Sequence, residues 1–265
     1  MGWNYLGIFY LISLAVCSVG FIKYVYFLSI GYGFAVSAIG AALAIMSAIG
    51  TFEAGLAHYV LFALMIGYGF RLSGFLLIRE LKNAAYRKTL AEATGDEKAM
   101  PMFVKVTIWL VTSALYVAQT SPVYFRMLNG GEVSALTWAG IAICVLAIVI
   151  ESVADMQKSA QKAVNPNKVA TEGLYKIVRC PNYFGEILFW TGLTVSALDI
   201  LSGFGQWLTA IIAYVAIVYI MFNGAQRLER RQMARYKDDA EYKAYADSTP
   251  IIIPLLPVYH LNKQD

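Results

Sequence analysis

Apolar residues run along this chain in stretches of about 20, separated by short polar intervals, and the stretches do not alternate. Runs of about that length cross the roughly 30 Å hydrocarbon core of a bilayer as helices. A β-barrel would show short alternating segments instead. The pattern predicts spans at about 4–22, 29–51, 56–78, 104–122, 134–155, 184–202 and 205–224. The expected architecture is an all-α integral membrane protein of about seven transmembrane helices, forming one domain over 1–265. Between the third and fourth spans, 79–100 carries Glu92, Asp96 and Glu97 and reads as a cytoplasmic connector with room for a short helix. Asn129-Gly130-Gly131 signals a turn. The interval 155–180 is too polar to span and is broken at Asn165-Pro166-Asn167. A charged helix is expected at about 226–247 on the cytoplasmic face. The proline-rich segment 250–259 cannot form a long helix and is expected to pack back onto the bundle.

Composition agrees with this picture. The chain is 59% hydrophobic and its mean hydropathy is +0.58, whereas soluble domains are roughly 45–50% apolar. Charge then sets the expected orientation. Lys23, Arg79, Lys82, Arg87, Lys88 and Lys98 follow the first and third spans; Lys158, Lys162, Lys168, Lys176 and Arg179 follow the fifth; Arg227, Arg230, Arg231, Arg235 and Lys237 follow the seventh. The opposite face offers essentially only Arg126. By the positive-inside rule the C-terminus is cytoplasmic and the N-terminus outside, with a bacterial cytoplasmic (inner) membrane the expected location. The net charge of +4 follows from this bias and from anionic headgroups, so no nucleic-acid partner is called for. No obligate protein partner is evident. The first span lacks the basic start and cleavage site of a signal peptide. Cys17, Cys144 and Cys180 are widely spaced and read as buried, inert thiols.

Several chemistries drop out. His58 and His260 are far apart, and no HExxH or Cys/His cluster exists, so no metal site is expected. There is no GxSxG and no Walker loop. Gly31-Tyr32-Gly33 begins like a dinucleotide fingerprint, but Val36 stands where the third glycine belongs and no strand precedes it. Small residues at Gly40, Ala44, Ser47 and Gly50 suit close helix packing.

The densest polar signal is 173–192, GLYKIVRCPNYFGEILFWTG, whose basic first half leads directly into an apolar helix. Asn182 and Glu186, one turn apart, form a polar face at a helix N-terminus, a place suited to anions; Asn182 also reads as a cap after Pro181. Asp155, with Glu151 one turn earlier, ends the fifth span. Charged residues within or at the edge of spans are functional candidates. Glu53 lies at the outer end of the second span, where an interfacial carboxylate is the plainer reading. Arg71 lies late in the third, where it either snorkels to headgroups or binds an anion. Tyr68 stands three residues before Arg71 on the same helix.

Arg179-Cys180-Pro181-Asn182-Tyr183-Phe184-Gly185-Glu186 resembles the R-x-P-N-Y-x-G-E motif of the steroid 5-alpha-reductase superfamily. Gly173-Leu174-Tyr175 is similar to its lead-in, Asp155 to the Asp after its fifth helix, and Tyr68-Gly69-Phe70-Arg71-Leu72 to its third-helix pattern. Arg230/Arg231, Tyr242-x-x-Tyr245 and Ile253-Pro254 look like its closing segment, so the resemblance covers about 53–254. It implies NADPH-dependent reduction of the carbon–carbon double bond of a 3-oxo-delta-4 steroid or a similar hydrophobic enone. Carried over by position, Asp155, Lys162, Tyr175, Arg179, Asn182, Tyr183, Glu186, Arg227 and Arg231 would bind NADPH. Glu53 and Tyr68 would be catalytic and, with Arg71, would hold the substrate. In that scheme the Tyr68 hydroxyl, backed by the Glu53 carboxyl, stabilises charge developing on the substrate carbonyl oxygen. The alternative is a membrane S-adenosylmethionine-dependent methyltransferase of the isoprenylcysteine carboxyl methyltransferase type, which shares an R-x-P-x-Y-x-G element. That class usually shows histidine where Cys180 sits and paired glutamates where this chain has Glu229-Arg230.

Overall fold

The computed structural model describes residues 4–84, 87, 90, 100–130 and 132–262. Glu92, Asp96, Glu97, Lys88, Lys98 and Gly131 lie outside the described residues. Among those described there is no strand. The helices are α1 (Asn4–Cys17), α2 (Ile30–Ala48), α3 (Leu56–Lys82), α4 (Met102–Asn129), α5 (Ala135–Val164), α6 (Pro181–Val195), α7 (Gly203–Arg235) and α8 (Ala240–Ser248), with short 3-10 turns at Ser18–Phe21, Tyr24–Leu28 and Gly173–Lys176. Six of them (α1 with its 3-10 extension, α2, α3, α4, α5 and α7) are long and apolar enough to cross a membrane. The chain is an all-α integral membrane protein, and the expected count of seven spans is approximate. The sixth expected span is the short one: α6 has 15 residues. It starts earlier than hydropathy suggested because Pro181 fits the first helical turn, where its missing N–H is no loss. It stops at Val195 rather than running on to 202. The charged segment expected as a separate helix at 226–247 is instead continuous with the last span. α7 runs 33 residues without a break, about 50 Å at about 1.5 Å per residue, so the part beyond about 224 extends past the apolar stretch. A turn at 236–239 then leads into α8, whose N-terminus Asp239 caps by accepting from the Glu241 and Tyr242 amides.

Contacts divide the chain into two compact units, 1–141 with 193–213, and 142–192 with 214–265. The first unit is built on the α2–α3 pair. Gly33 and Gly69 meet so closely that a Cβ on Gly69 would collide with the Gly33 carbonyl. The Ser73 hydroxyl donates to the Ile30 carbonyl (2.8 Å) and the Ser37 hydroxyl to the Ile66 carbonyl (2.9 Å). Small residues let the two backbones touch, and short hydroxyls stitch them. The Gly31-Tyr32-Gly33 triplet therefore serves helix packing. Within α4, Pro122 cannot donate to the Ala118 carbonyl, and the Ser121 hydroxyl takes that acceptor at 2.7 Å. Gly130 closes α4 in the left-handed conformation (φ 63°).

Arg126 is fully buried in this unit. It donates from Nε to the Ser196 carbonyl (2.7 Å) and from Nη1 to the Glu132 carbonyl (3.1 Å), and it pairs with Asp199. Asn129 adds bonds to the Ile200 carbonyl and Gln206. These anchors hold the turns after α6 and account for its early end. At the other end of α3, the buried Glu80 pairs with Lys23 and accepts from the Tyr26 hydroxyl at 2.8 Å, tying the 18–28 segment to the helix.

In the second unit α5 and α6 run antiparallel. Asn182 meets Asp155, Gly185 faces Glu151 and the Ala147 carbonyl, and the Phe189 carbonyl accepts from the Cys144 thiol. A Cβ on Gly185 would collide with the Glu151 side chain, so glycine is required where the two helices cross. The 250–262 segment packs back as the sequence suggests. Ile251, Ile252, Ile253, Val258 and Leu261 form one apolar cluster with Cys180, Ile187 and Ala225.

Candidate functional site

The second unit gathers the motif residues. Asn182, in the first turn of α6, donates from Nδ2 to Asp155 Oδ1 at 2.8 Å and accepts from the buried Tyr175 hydroxyl at 3.3 Å. One short amide thus joins α5, the 173–176 turn and α6. The turn itself is held by two glutamines that sequence reading passed over. Gln157 Oε1 accepts from the Leu174 amide (2.8 Å); Gln161 Oε1 accepts from the Thr171 and Glu172 amides (2.9 and 3.0 Å). They stand one turn apart on α5, a spacing that puts both on one face, but nothing in the sequence names their partners. Gly173, at φ 69°, lies against the Gln157 amide, where a side chain would clash. From the other side the Tyr245 hydroxyl of α8 donates to the Tyr175 carbonyl at 2.7 Å.

Tyr183 lies across Gly224 of α7, with ring carbons 3.4 Å from where a Cβ would be. Arg227 and Arg231 follow on α7, one turn apart and exposed, and their charges act on the Tyr183 phenol. Among the described residues neither guanidinium has a hydrogen bond or an ion pair. Glu186 is buried and accepts from the Trp190 indole N–H at 3.0 Å.

Two expected cofactor ligands are occupied internally. Arg179 is buried. Its Nη2 donates to Glu229 at 2.7 Å and to the Tyr259 carbonyl, and the Tyr242 hydroxyl faces the same guanidinium. Glu229 also accepts from the amides of Leu261 (2.9 Å) and Asn262 (3.0 Å), and His260 Nδ1 lies 3.1 Å away. Burial pushes the Glu229 carboxyl up, but Arg179 and these donors outweigh it and hold it below its ordinary value of 4.5. The Arg179 and Cys180 amides donate to the Pro250 and Ile251 carbonyls at 2.8 and 2.9 Å. Arg179 is thus the clasp of the closing segment, and the arginine face turned outward is that of Arg227 and Arg231. Lys162 gives its three donors to the Pro166 and Lys168 carbonyls and to the Tyr236 hydroxyl. It fixes the loop that follows α5. Cys180 is buried, and burial pushes its thiol up to about 12, consistent with an inert thiol.

The chain's match to a family model now has a structural setting: residues 30–249 match the family described as "Protein of unknown function (DUF1295)". The chain belongs to the DUF1295 family. Comparison with curated proteins and with solved structures finds no match. The matched region of this DUF1295 chain runs from the start of α2 to just past α8, and so spans both the Tyr68 neighbourhood and the Asp155–Asn182–Arg231 region.

The first unit holds the other candidates. Tyr68 is fully buried in α3, and its hydroxyl lies 3.1 Å from that of Tyr32 on α2. Arg71 follows one turn on and is half-buried. Glu53 does not join them. It is exposed in the loop between α2 and α3, whereas Tyr68 lies 12 residues into α3, about 18 Å along the axis at about 1.5 Å per residue. The loop is too short to fold a carboxylate down to that depth, so the expected Tyr68–Glu53 pair does not form. The sequence reading also missed Gln119 of α4, which is 3% exposed. Neither of its amide atoms has a hydrogen-bond partner among the described residues. An unpaired buried amide costs about 1–3 kcal/mol. Gln119→Leu is expected to raise the melting temperature of the ligand-free DUF1295 protein; a clear fall would show that the amide is satisfied.

Proposed function

We propose that this DUF1295 protein reduces the carbon–carbon double bond of a hydrophobic enone, a 3-oxo-delta-4 steroid or a similar molecule, using NADPH. The observation that carries the reading is the Asp155–Asn182–Tyr175 hydrogen-bond array, together with the exposed Arg227/Arg231 pair whose charges reach Tyr183, the residue after Asn182. It coincides with the segment that resembles the steroid 5-alpha-reductase motif. The donor set fits the cofactor. Two guanidiniums one turn apart suit a pyrophosphate or a 2′-phosphate, and half-exposed Asp155 and Asn182 suit ribose hydroxyls or an amide. Tyr183 offers a ring and a hydroxyl beside the arginines. Arg179 and Lys162 support the site through the backbone they hold.

When bound, NADPH would supply the hydride that adds to the β carbon of the enone; a proton from water adds at the α carbon, leaving a saturated ketone and NADP+. The resemblance gives Tyr68 the role of donating its hydroxyl hydrogen to the substrate carbonyl oxygen, where negative charge builds in the transition state. Its burial excludes water, which would weaken that bond. The bias of the basic residues supports a cytoplasmic C-terminus and Arg227/Arg231 face, where soluble NADPH is available, and an outside N-terminus. A bacterial inner membrane is the proposed location.

Thermal melting with each nucleotide tests the reading. NADPH at about 100 times its Kd should stabilise the protein by about 2.7 kcal/mol, and Arg227→Ala/Arg231→Ala should weaken binding about 100-fold. Stabilisation by S-adenosylmethionine and not by NADPH would replace the reductase reading with the methyltransferase. NADPH oxidation with a panel of enones then defines the substrate.

A further inference from the structure

The Tyr68 hydroxyl has a neighbour that no part of the resemblance supplies. Tyr32 of α2 is 7% exposed and Tyr68 is fully buried; their oxygens are 3.1 Å apart and their rings stand edge to face, with centroids 6.4 Å apart. The geometry is fixed from three sides. Gly33 and Gly69, each the next residue after one of the tyrosines, are the point where α2 and α3 touch. The Ser73–Ile30 and Ser37–Ile66 hydrogen bonds flank that contact. On the far side the Tyr32 ring lies 4.8 Å from that of Tyr116 on α4, whose hydroxyl is anchored on the Phe27 carbonyl at 2.6 Å. The glycine crossing thus sets the register of the two phenols, and the Tyr116 anchor fixes the Tyr32 ring.

A phenol that must give its proton to a carbonyl acts best when its own oxygen accepts a hydrogen bond, because each bond in such a chain polarises the next. It also needs one rotamer of its O–H, and an accepted bond selects it. We propose that Tyr32 is the positioning residue for Tyr68: its hydroxyl donates to Tyr68, directing the Tyr68 hydrogen toward the substrate carbonyl. The assignment rests on the enone-reductase reading above. It gives Tyr32 the supporting role that the sequence suggested for Glu53. In this role Tyr32 acts through its contact with Tyr68.

A double-mutant cycle tests this with an enone that the wild type reduces. Tyr32→Phe removes one oxygen and keeps the ring. It should lower kcat about 10-fold, with KM and the NADPH Kd unchanged. Tyr68→Phe should lower kcat further, and Tyr32→Phe added to Tyr68→Phe should change nothing more, since no hydroxyl is left to position. Independent, multiplying losses would overturn the assignment, as would a Tyr32→Phe enzyme with wild-type kcat or one whose loss lies wholly in KM. A wild type that neither binds NADPH nor oxidises it with any enone overturns the reductase reading and this role together. Wild-type turnover with an unaffected Tyr32→Phe overturns only the role of Tyr32.

Discussion

Glu229→Ala is expected to cost about 3–5 kcal/mol of stability and to release the 250–262 segment, because it strands the buried Arg179 guanidinium without its counter-charge. The loss exceeds that of an ordinary ion pair. The same carboxylate accepts from the Leu261 and Asn262 amides and from the Asn262 side chain, and the two backbone amides would lose their acceptor together. Glu229→Gln keeps the shape and one acceptor but not the charge, and should fall between the wild type and Glu229→Ala. Thermal melting in detergent, with limited proteolysis near residue 250, measures both effects. An unchanged melting temperature would mean that the closing segment is held by Ile251 and Ile252 in their apolar cluster rather than by charge. The pH dependence has a definite sign. The folded-state carboxyl lies below its ordinary value of 4.5, so its contribution is complete above that pH and is lost as pH falls through the lower, folded-state value. Acid should loosen the segment in the wild type and leave Glu229→Gln comparatively insensitive.

Tyr68→Phe is expected to lower kcat about 100- to 1,000-fold, the usual cost of removing one donor to a developing oxyanion. The ring stays in a fully buried site, so the melting temperature should shift little, and the NADPH Kd should not change. Steady-state kinetics with nucleotide binding measured on the same preparation separates these quantities. A kcat within a few-fold of the wild type would remove Tyr68 from the chemistry.

Hydropathy alone located the membrane helices, because burying a backbone in lipid requires long apolar runs. It misjudged ends wherever a side-chain anchor decides them. α6 stops where Arg126 holds Ser196 and Asp199, and α7 continues, through Asn223-Gly224, because no proline lies between Gly203 and Arg235. The residues around Asn182 were legible because short polar groups cluster densely at a helix start. The partners of Arg179 were not: Glu229 is 50 positions away and the Tyr259 carbonyl 80, and neither distance leaves a periodic trace. Glu53 looked attractive for its charge, but its depth is set by the length of the α2–α3 loop. Tyr32, hidden inside a motif set aside as a false fingerprint, came into view only with the α2–α3 crossing.

The clasp on Arg179 also has a bearing on biogenesis. Residues 173–186 enter the membrane surface early, yet the carbonyls and carboxylate that fix Arg179 and Cys180 belong to Glu229 and to 250–259. Because chains are made from the N-terminus at about 5–20 residues per second, the motif must wait several seconds for 250–259 to arrive. A chain cut before 250 would leave the Arg179 and Cys180 amides without their acceptors and the Arg179 guanidinium without the Tyr259 carbonyl.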